Sequence, residues 1–408
     1  MRIRYLDKQC PACGYTMTKI VFDAGVKPLA TIAWAESAEE AKAVQAFKQQ
    51  YIQCLNCSHV WNHLFDWEHV PYGNKPNKMY NNGSQWKRHI EYLNQWLSGQ
   101  ITDSPTVIDI GCGDGSFLIS MAEHFRKKGK FLGFDPSGDV DPQQNTIIFN
   151  RSLFSPLEDT ARHKPDLVVM RHVIEHLTAP SSFLHSLTWG ASTYEKPTYL
   201  YCEVPCIDRV FETGRLADFY YEHPSQFTTS SFTNMLSKAG KIVDIHRAYD
   251  GEVLCGLVEL TPSAEQAEIS KNAESYFLST SISINQIRSE LDHLNEKGES
   301  IAIWGGTGKC AAFMHHFQVS SENIPVVVDS DERKWGTYVP GVGQEIKSPS
   351  YLLMMPADVL IIPTQWRAQD ILIEANAMGL TFKQVLIEHQ GKLIDFRYEQ
   401  HPYAKDKL

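Results

Sequence analysis

A chain of 408 residues is more than one hydrophobic core usually organises, so two or three domains are expected. With 43% hydrophobic and 21% charged residues the composition is that of a soluble globular protein. A formal charge of −10 excludes a broad phosphate-binding surface for a nucleic acid polymer, and no run of about 18 apolar residues offers a membrane span.

The opening residues, Met1 to Lys8, lack the apolar core of a secretory signal, which leads to the expectation of a cytoplasmic protein. Residues 1–72 are dense in cysteine, aromatic residues and turn formers, with a helical stretch expected over Ser37 to Tyr51. Two of their cysteine pairs have the CxxC form, Cys10 with Cys13 and Cys54 with Cys57. Such a turn lets both sulfurs of a pair reach one tetrahedral Zn(II) at roughly 2.3 Å, and four thiolates close the coordination sphere to a catalytic water. A structural zinc is the leading reading; a redox dithiol and four reduced, buried cysteines are the others. Residues 73–100 follow, with Trp86, Ile90, Leu93 and Leu97 at helical spacing, which predicts an amphipathic connecting helix.

From Thr106 the pattern becomes strand, glycine turn, helix, and it repeats through Val107 to Ile110, Phe131 to Asp135, Asp166 to Met170 and Thr198 to Val204. This alternation predicts a parallel sheet covered by helices on both faces, running to about residue 262. The first turn reads Asp109-Ile-Gly111-Cys112-Gly113-Asp114-Gly115, ahead of a helix expected over Ser116 to Lys127. Glycines there allow close approach to a ligand, and the helix start offers free amides. Asp135, twenty residues after Gly115, ends the next strand, where a carboxylate can accept from ribose hydroxyls. Taken alone, such a turn also serves as a tight connection or as a dinucleotide site.

With Asp109, Asp135 and the order of strands added, the segment resembles the class I methyltransferases, whose first motif is Asp/Glu-x-Gly-x-Gly-x-Gly. The stretch Asp166-Leu-Val-Val-Met-Arg171-His172-Val-Ile-Glu175-His176-Leu resembles that family's fourth-strand motif, whose following loop flanks the methyl donor. The resemblance implies that Asp109, Gly111, Cys112, Gly113 and Gly115 hold the amino acid part of S-adenosylmethionine, that Asp135 holds its ribose, and that His172 and His176 lie beside it.

After the strand ending at Val204, the segment Asp218-Phe-Tyr220-Tyr221-Glu222-His223-Pro-Ser-Gln226-Phe227 crowds titratable side chains near the carboxyl edge of the sheet. Methylating a carbon beside a carbonyl needs a base near neutral pH and a donor for the developing oxyanion. His223 suits the first task, with Tyr220 as relay or donor and Glu222 as orienting group or sugar ligand. The competing reading makes Tyr220, Tyr221 and Phe227 core aromatics and His223 a satisfied buried imidazole.

The whole arrangement resembles the C-methyltransferases of nucleotide-linked keto-deoxysugars: a four-cysteine zinc module, a methyltransferase unit with Tyr-x-Glu-His, and a closing Rossmann-like domain. The resemblance implies Tyr220 and His223 as the acid/base pair, supported by Glu222 and His176, and a substrate-facing segment that includes Tyr80, Ser84 and Trp86. Glu175 and Gln226 depart from the family, whose members carry a less acidic residue and often an aromatic there.

Beyond a long polar-faced helix expected over Ala264 to Lys297, a second alternation begins. Gly306-Thr-Gly308-Lys309-Cys-Ala311 follows an apolar strand and Asp329 comes 21 residues after Gly308, the spacing of a dinucleotide site. A P-loop is excluded, because Ile303 stands where its first glycine belongs and Cys310 where its Ser or Thr does. The resemblance instead implies a hold on a nucleotide-sugar diphosphate, with Lys309 and Arg333 as phosphate contacts; a domain that only packs is the remaining reading.

The resulting expectation is an α/β chain with a zinc-binding module (1–72), a Rossmann-like class I methyltransferase domain (73–262) and a second Rossmann-like domain (263–408). Its partner is a small molecule and its cofactors are S-adenosylmethionine and structural Zn(II). Methyl transfer to oxygen or nitrogen, an NAD-dependent oxidoreductase using Gly308, and a non-catalytic binding module are the rivals.

Overall fold

The computed structural model describes residues 4–31, 35–70, 83–138, 140 and 147–403. Two compact units emerge, Met1–Gln266 and Ala267–Leu408, and each is described by itself.

The first unit opens with strands β1 (Tyr5–Asp7) and β2 (Met17–Pro28), a short helix α1 (Ala38–Lys42), and strands β3 (Ala46–Cys54) and β4 (Val60–Asn62). The helix expected over Ser37 to Tyr51 is confined to α1, and the second half of that segment is strand. Its Ala, Glu and Lys content favours helix locally, but β3 pairs with nearly the whole of β2 and buries Gln49 and Tyr51, and this long-range pairing overrides propensity. The connecting helix α2 (Ser84–Ser98) forms where expected and buries Leu93 and Leu97 completely.

The central sheet takes β5 (Thr106–Ile110), β6 (Lys130–Phe134), β7 (Ile148–Asn150), β8 (Leu167–Arg171) and β9 (Tyr199–Pro205) as parallel strands. Between them run α3 (Ser116–His124), α4 (Glu158–His163) and α5 (Pro180–Ala191), and α6 (Ile207–Thr213) follows β9. Helix α3 stops short of Lys127, where Arg126 and Lys127 enter the left-handed region. Next comes a two-residue strand, β10 (Ser225–Gln226), which leaves the central sheet and pairs with β4, giving the order β1-β2-β3-β4-β10. Helix α7 (Thr229–Ala239), capped by Thr228 and Ser231, leads to β11 (Gly240–Ala248) and β12 (Val253–Leu260). This hairpin adds antiparallel to β9, completing β11-β12-β9-β8-β5-β6-β7. Strand order reverses about β5, and ligands of open α/β sheets bind outside the carboxyl ends at that reversal. Apolar runs such as Leu167–Met170, fully buried, make the strands central and doubly covered.

The long helix α8 (Ala264–Glu296) matches its expected span. The second unit then alternates β13 (Ile301–Trp304), α9 (Lys309–His316), β14 (Val326–Val328), β15 (Ile346–Lys347), α10 (Tyr351–Met354), β16 (Val359–Ile361), α11 (Ala368–Ala377), β17 (Gln384–His389) and β18 (Lys392–Asp395). Its sheet order, β15-β14-β13-β16-β17-β18, is that of a doubly wound dinucleotide-type fold, parallel except for β18. Among the described residues, no helix is long and apolar enough to cross a membrane.

Candidate active site

The turn after β5 is left-handed at Gly111 (φ 71°) and Gly113 (φ 55°). A Cβ at Gly111 would stand 2.4 Å from Val173, so this position admits no side chain. At Gly113 it would meet nothing within 4 Å, because that backbone faces a cavity of about 1300 Å³. Pockets for one small ligand run to about 300–1,000 Å³, so the space suits a donor together with a second molecule. Gly115 sits at the start of α3, also with positive φ. Cys112 lines the cavity as well, with its sulfur packed so closely beneath β6 that a Cβ on Gly133 would fall 2.6 Å from it, and burial holds its thiol protonated. Asp109 is buried and lifted by desolvation to about 7, against the pull of Arg171.

Asp135 lines the same cavity, but its carboxylate already accepts from Gly113 N (3.0 Å) and from Ser137 N and Oγ (2.8 and 3.1 Å). About four lone-pair directions are available to a carboxylate, so a ribose hydroxyl would take the remaining one or displace Ser137. With Asp109, Asp114 and Asp135 converging, the turn is acidic and complements a cationic ligand.

Beneath the cavity lies a charged cluster that the motifs do not disclose. Glu203, fully buried on β9, accepts from His89 Nε2 and Tyr201 Oη at 2.7 Å on one oxygen and from Arg171 Nη2 (3.1 Å) on the other, which also lies 3.2 Å from His172 Nε2 in an ion pair. Its carboxyl is held well below the usual range: burial opposes ionisation, but Arg171 and the two imidazoles prevail. Burial works against His172 as well, yet Glu175 and Glu203 lift it to about 9, so it is a cation at neutral pH. Its backbone is left-handed (φ 54°), a costly conformation for a non-glycine residue that the ion pairs on both ring nitrogens help to hold. Arg171 is sandwiched between Trp86 and Phe117, 5.0 and 4.6 Å from their ring centres. Trp86 thus reaches the cavity wall by packing on the guanidinium, while Ser84 is exposed at the first turn of α2 and Tyr80 lies outside the described residues.

Tyr220 and His223 also line the cavity, and their loop is tied to the N-terminal part of the unit. Tyr51 Oη donates to the Tyr220 carbonyl at 2.9 Å, and Asp66 N donates to Tyr221 Oη at 2.9 Å. The Glu222 carboxylate accepts from the amides of Ala30 and Thr31, both at 2.8 Å, and so braces the loop without reaching His223. Charge-assisted bonds of this kind contribute roughly 1.5–3 kcal/mol each. Tyr221 is therefore a structural aromatic, fully buried. Tyr220 Oη and His223 Nε2 share a bond of 2.9 Å on the cavity wall. Burial, followed by the Glu175 and Glu222 carboxylates, raises the Tyr220 phenol, which stays neutral. Burial and then His176 and His172 hold His223 well below the ordinary imidazole range, leaving it neutral and able to accept a proton. His176 donates from Nδ1 to the Glu222 carbonyl at 2.6 Å, and its ring meets that of His223 edge to face at 4.6 Å.

The four cysteines of the N-terminal sheet converge. Cys10 and Cys57 sulfurs are 3.7 Å apart, Cys13 and Cys54 3.6 Å, and all four lie within 4.8 Å of one another. A tetrahedron with arms of about 2.3 Å has edges near 3.8 Å, so the cluster fits zinc. The Cys10 thiol pulls Cys57 down, while Cys57 and burial push Cys10 up, so the close pair divides into one thiolate and one thiol.

In the second unit, Asp329 accepts from Gly306 N at 2.9 Å and pairs with Lys334 at 2.8 Å. Lys309 opens α9 with its ammonium 4.1 Å from the Trp366 ring centre. Arg333 is largely exposed and held by Asp331 at 2.9 Å.

Residues 82–241 match the family model described as a methyltransferase domain, and residues 263–386 match the one described as a C-methyltransferase C-terminal domain. No curated protein matches the chain. Among similar solved structures, the plantazolicin methyltransferase BpumL, in complex with a desmethylPZN analog and SAH, is 16% identical over 44% of this chain and 85% of its own, with a TM-score of 0.33. A SAM-dependent methyltransferase from Aquifex aeolicus is 16% identical over 45% of this chain and 100% of its own, TM-score 0.31. One from Thermotoga maritima, a possible histamine N-methyltransferase, is 18% identical over 42% and 89%, TM-score 0.30. With a methyltransferase domain matched over the β5 turn and the Tyr220 loop, the chain is a Rossmann-like α/β enzyme, an S-adenosylmethionine-dependent methyltransferase.

Proposed function

We propose that this methyltransferase acts on a carbon next to a carbonyl, in a keto-deoxysugar linked to a nucleotide. The observation that carries the reading is the neutral His223, hydrogen-bonded to Tyr220 on the wall of the cavity that the glycine turn also lines. When bound, S-adenosylmethionine supplies a methyl group on a sulfonium; Gly111 to Gly115 hold its amino acid part and Asp135 its ribose. His223 takes the proton from the substrate carbon. Tyr220, kept a neutral phenol, donates to the oxygen on which enolate charge develops. Glu222 keeps both in place through the Ala30 and Thr31 amides, and Trp86 shields the site. The match over residues 263–386 to a C-methyltransferase C-terminal domain supports transfer to carbon, and Lys309, at the start of α9, is the proposed contact of the second unit to a substrate phosphate.

Proton exchange tests this directly. With S-adenosylhomocysteine bound, in deuterated solvent, the protein is expected to exchange the carbon-bound proton beside the carbonyl of a nucleoside-diphosphate keto-deoxysugar. His223→Ala is expected to slow exchange and methylation by about 10²–10⁴ while leaving S-adenosylhomocysteine affinity within about twofold. Methylation of a substrate hydroxyl with no such exchange would replace this reading with oxygen transfer.

We further assign structural zinc to Cys10, Cys13, Cys54 and Cys57. The purified chain is expected to carry one tightly held zinc, lost in Cys54→Ser together with several degrees of thermal stability, as elemental analysis and calorimetric melting would read.

A further inference from the structure

Glu175 follows β8 beneath the reacting centre, is 1% exposed, and neither of its carboxylate oxygens has a hydrogen-bond partner among the described residues. A buried acid in that state is costly and calls for a reason. One side faces the His172 imidazolium, with Nδ1 3.5 Å from Oε1, an ion pair too long to be a good hydrogen bond. On its other side a Glu175 oxygen and ring nitrogens of His176 and His223 all lie within 4.8 Å of one another. A divalent cation in that triangle would stand beside the charged His172, which disfavours it. We propose that Glu175 is a positioning residue of the methyl transfer: its buried carboxylate stabilises the positive charge that His223 acquires on taking the substrate's proton.

The step balances without a further reagent. The substrate C–H bond breaks, its electron pair becomes the enolate, and its proton forms the N–H bond on His223. A bare imidazolium in this pocket would face two other imidazoles, His176 and the charged His172, and the neutral phenol of Tyr220. The Glu222 carboxylate accepts from the Ala30 and Thr31 amides through one oxygen, and its backbone carbonyl accepts from His176. Glu175 is therefore the carboxylate facing the acquired charge, and the same field disfavours a Tyr220 phenolate.

The inference rests on the enolate reading, and its test is independent of substrate. Histidine-labelled full-length protein, saturated with S-adenosylhomocysteine, would be titrated by NMR as wild type, Glu175→Gln and Glu175→Asp. Loss of the carboxylate should make His223 at least about tenfold harder to protonate, a shift of one unit or more to lower pH. Glu175→Asp, which keeps the charge, should restore most of it and report on packing if the glutamine variant folds poorly. In turnover, the acid limb of the kcat profile should move to lower pH in Glu175→Gln, with KM little changed. His223 titrating alike in all three proteins would overturn the proposal, as would a second equivalent of zinc or manganese bound by wild type and lost in Glu175→Gln. Failure of deuterium exchange with the wild type, by contrast, would count against the enolate and not against this electrostatic coupling.

Discussion

The two glycine turns of this chain use one backbone device with opposite surroundings. After β5, Asp135 accepts from Gly113 N; after β13, Asp329 accepts from Gly306 N, at nearly the same distance. Around the first, Asp109 and Asp114 add acidity and Gly113 faces open space. At the second, Lys334 neutralises Asp329 and Lys309 begins the helix, although sterically the turns agree: each pairs a crowded glycine, Gly111 or Gly306, with an open one, Gly113 or Gly308. The fold fixes where the amides point, and the side chains decide which charge is welcome. An acidic turn suits the ammonium and sulfonium of a methyl donor, whereas lysines at a helix start suit phosphate oxygens.

The sharpest way to break this comparison is Gly113→Arg, which puts a long cation into the open space at a left-handed position. It is expected to weaken S-adenosylhomocysteine binding by at least about 100-fold, roughly 2.7 kcal/mol, in a calorimetric titration with NAD as the control ligand. Binding of NAD, together with none of S-adenosylhomocysteine by the wild type, would transfer the working site to the second turn. A smaller effect is expected from Lys309→Ala: KM for a nucleotide-linked sugar should rise about three- to tenfold, less at high salt, with S-adenosylhomocysteine affinity unchanged. An unchanged KM would leave the second unit as packing alone.

The central sheet was legible because β5, β6, β8 and β9 are largely apolar runs, the first two followed at once by Gly111 and Asp135, and because its glycine turn is contiguous in sequence. The N-terminal sheet was not, since β3 is helix-prone by composition and becomes a strand only by pairing with β2. The β11 and β12 hairpin escaped for a related reason, its register being set against β9 some 50 residues earlier in the chain. Within the site, Tyr220 and His223 sit three residues apart and announce themselves. The Glu203 cluster draws on residues 89, 171, 172, 201 and 203, carried by α2, the end of β8 and β9. Its one local sign was a glutamate inside the apolar run Leu200-Tyr-Cys-Glu203-Val, a charge that a doubly covered strand must neutralise. Glu222 lay in the right loop, and only the fold reveals that its carboxylate serves the Ala30 and Thr31 amides.

The pairing of β10 with β4 also orders events at the ribosome. All four clustered cysteines have been made by residue 57, yet the sheet that carries them gains its fifth strand only at Gln226, about 170 residues later. At ~5–20 residues per second the delay is roughly 10–30 s, during which β4 is an unprotected edge. The cysteine cluster is thus an early checkpoint for the nascent chain and the Tyr220 loop a late one, since the same short strand that seals the sheet anchors the residues preceding it.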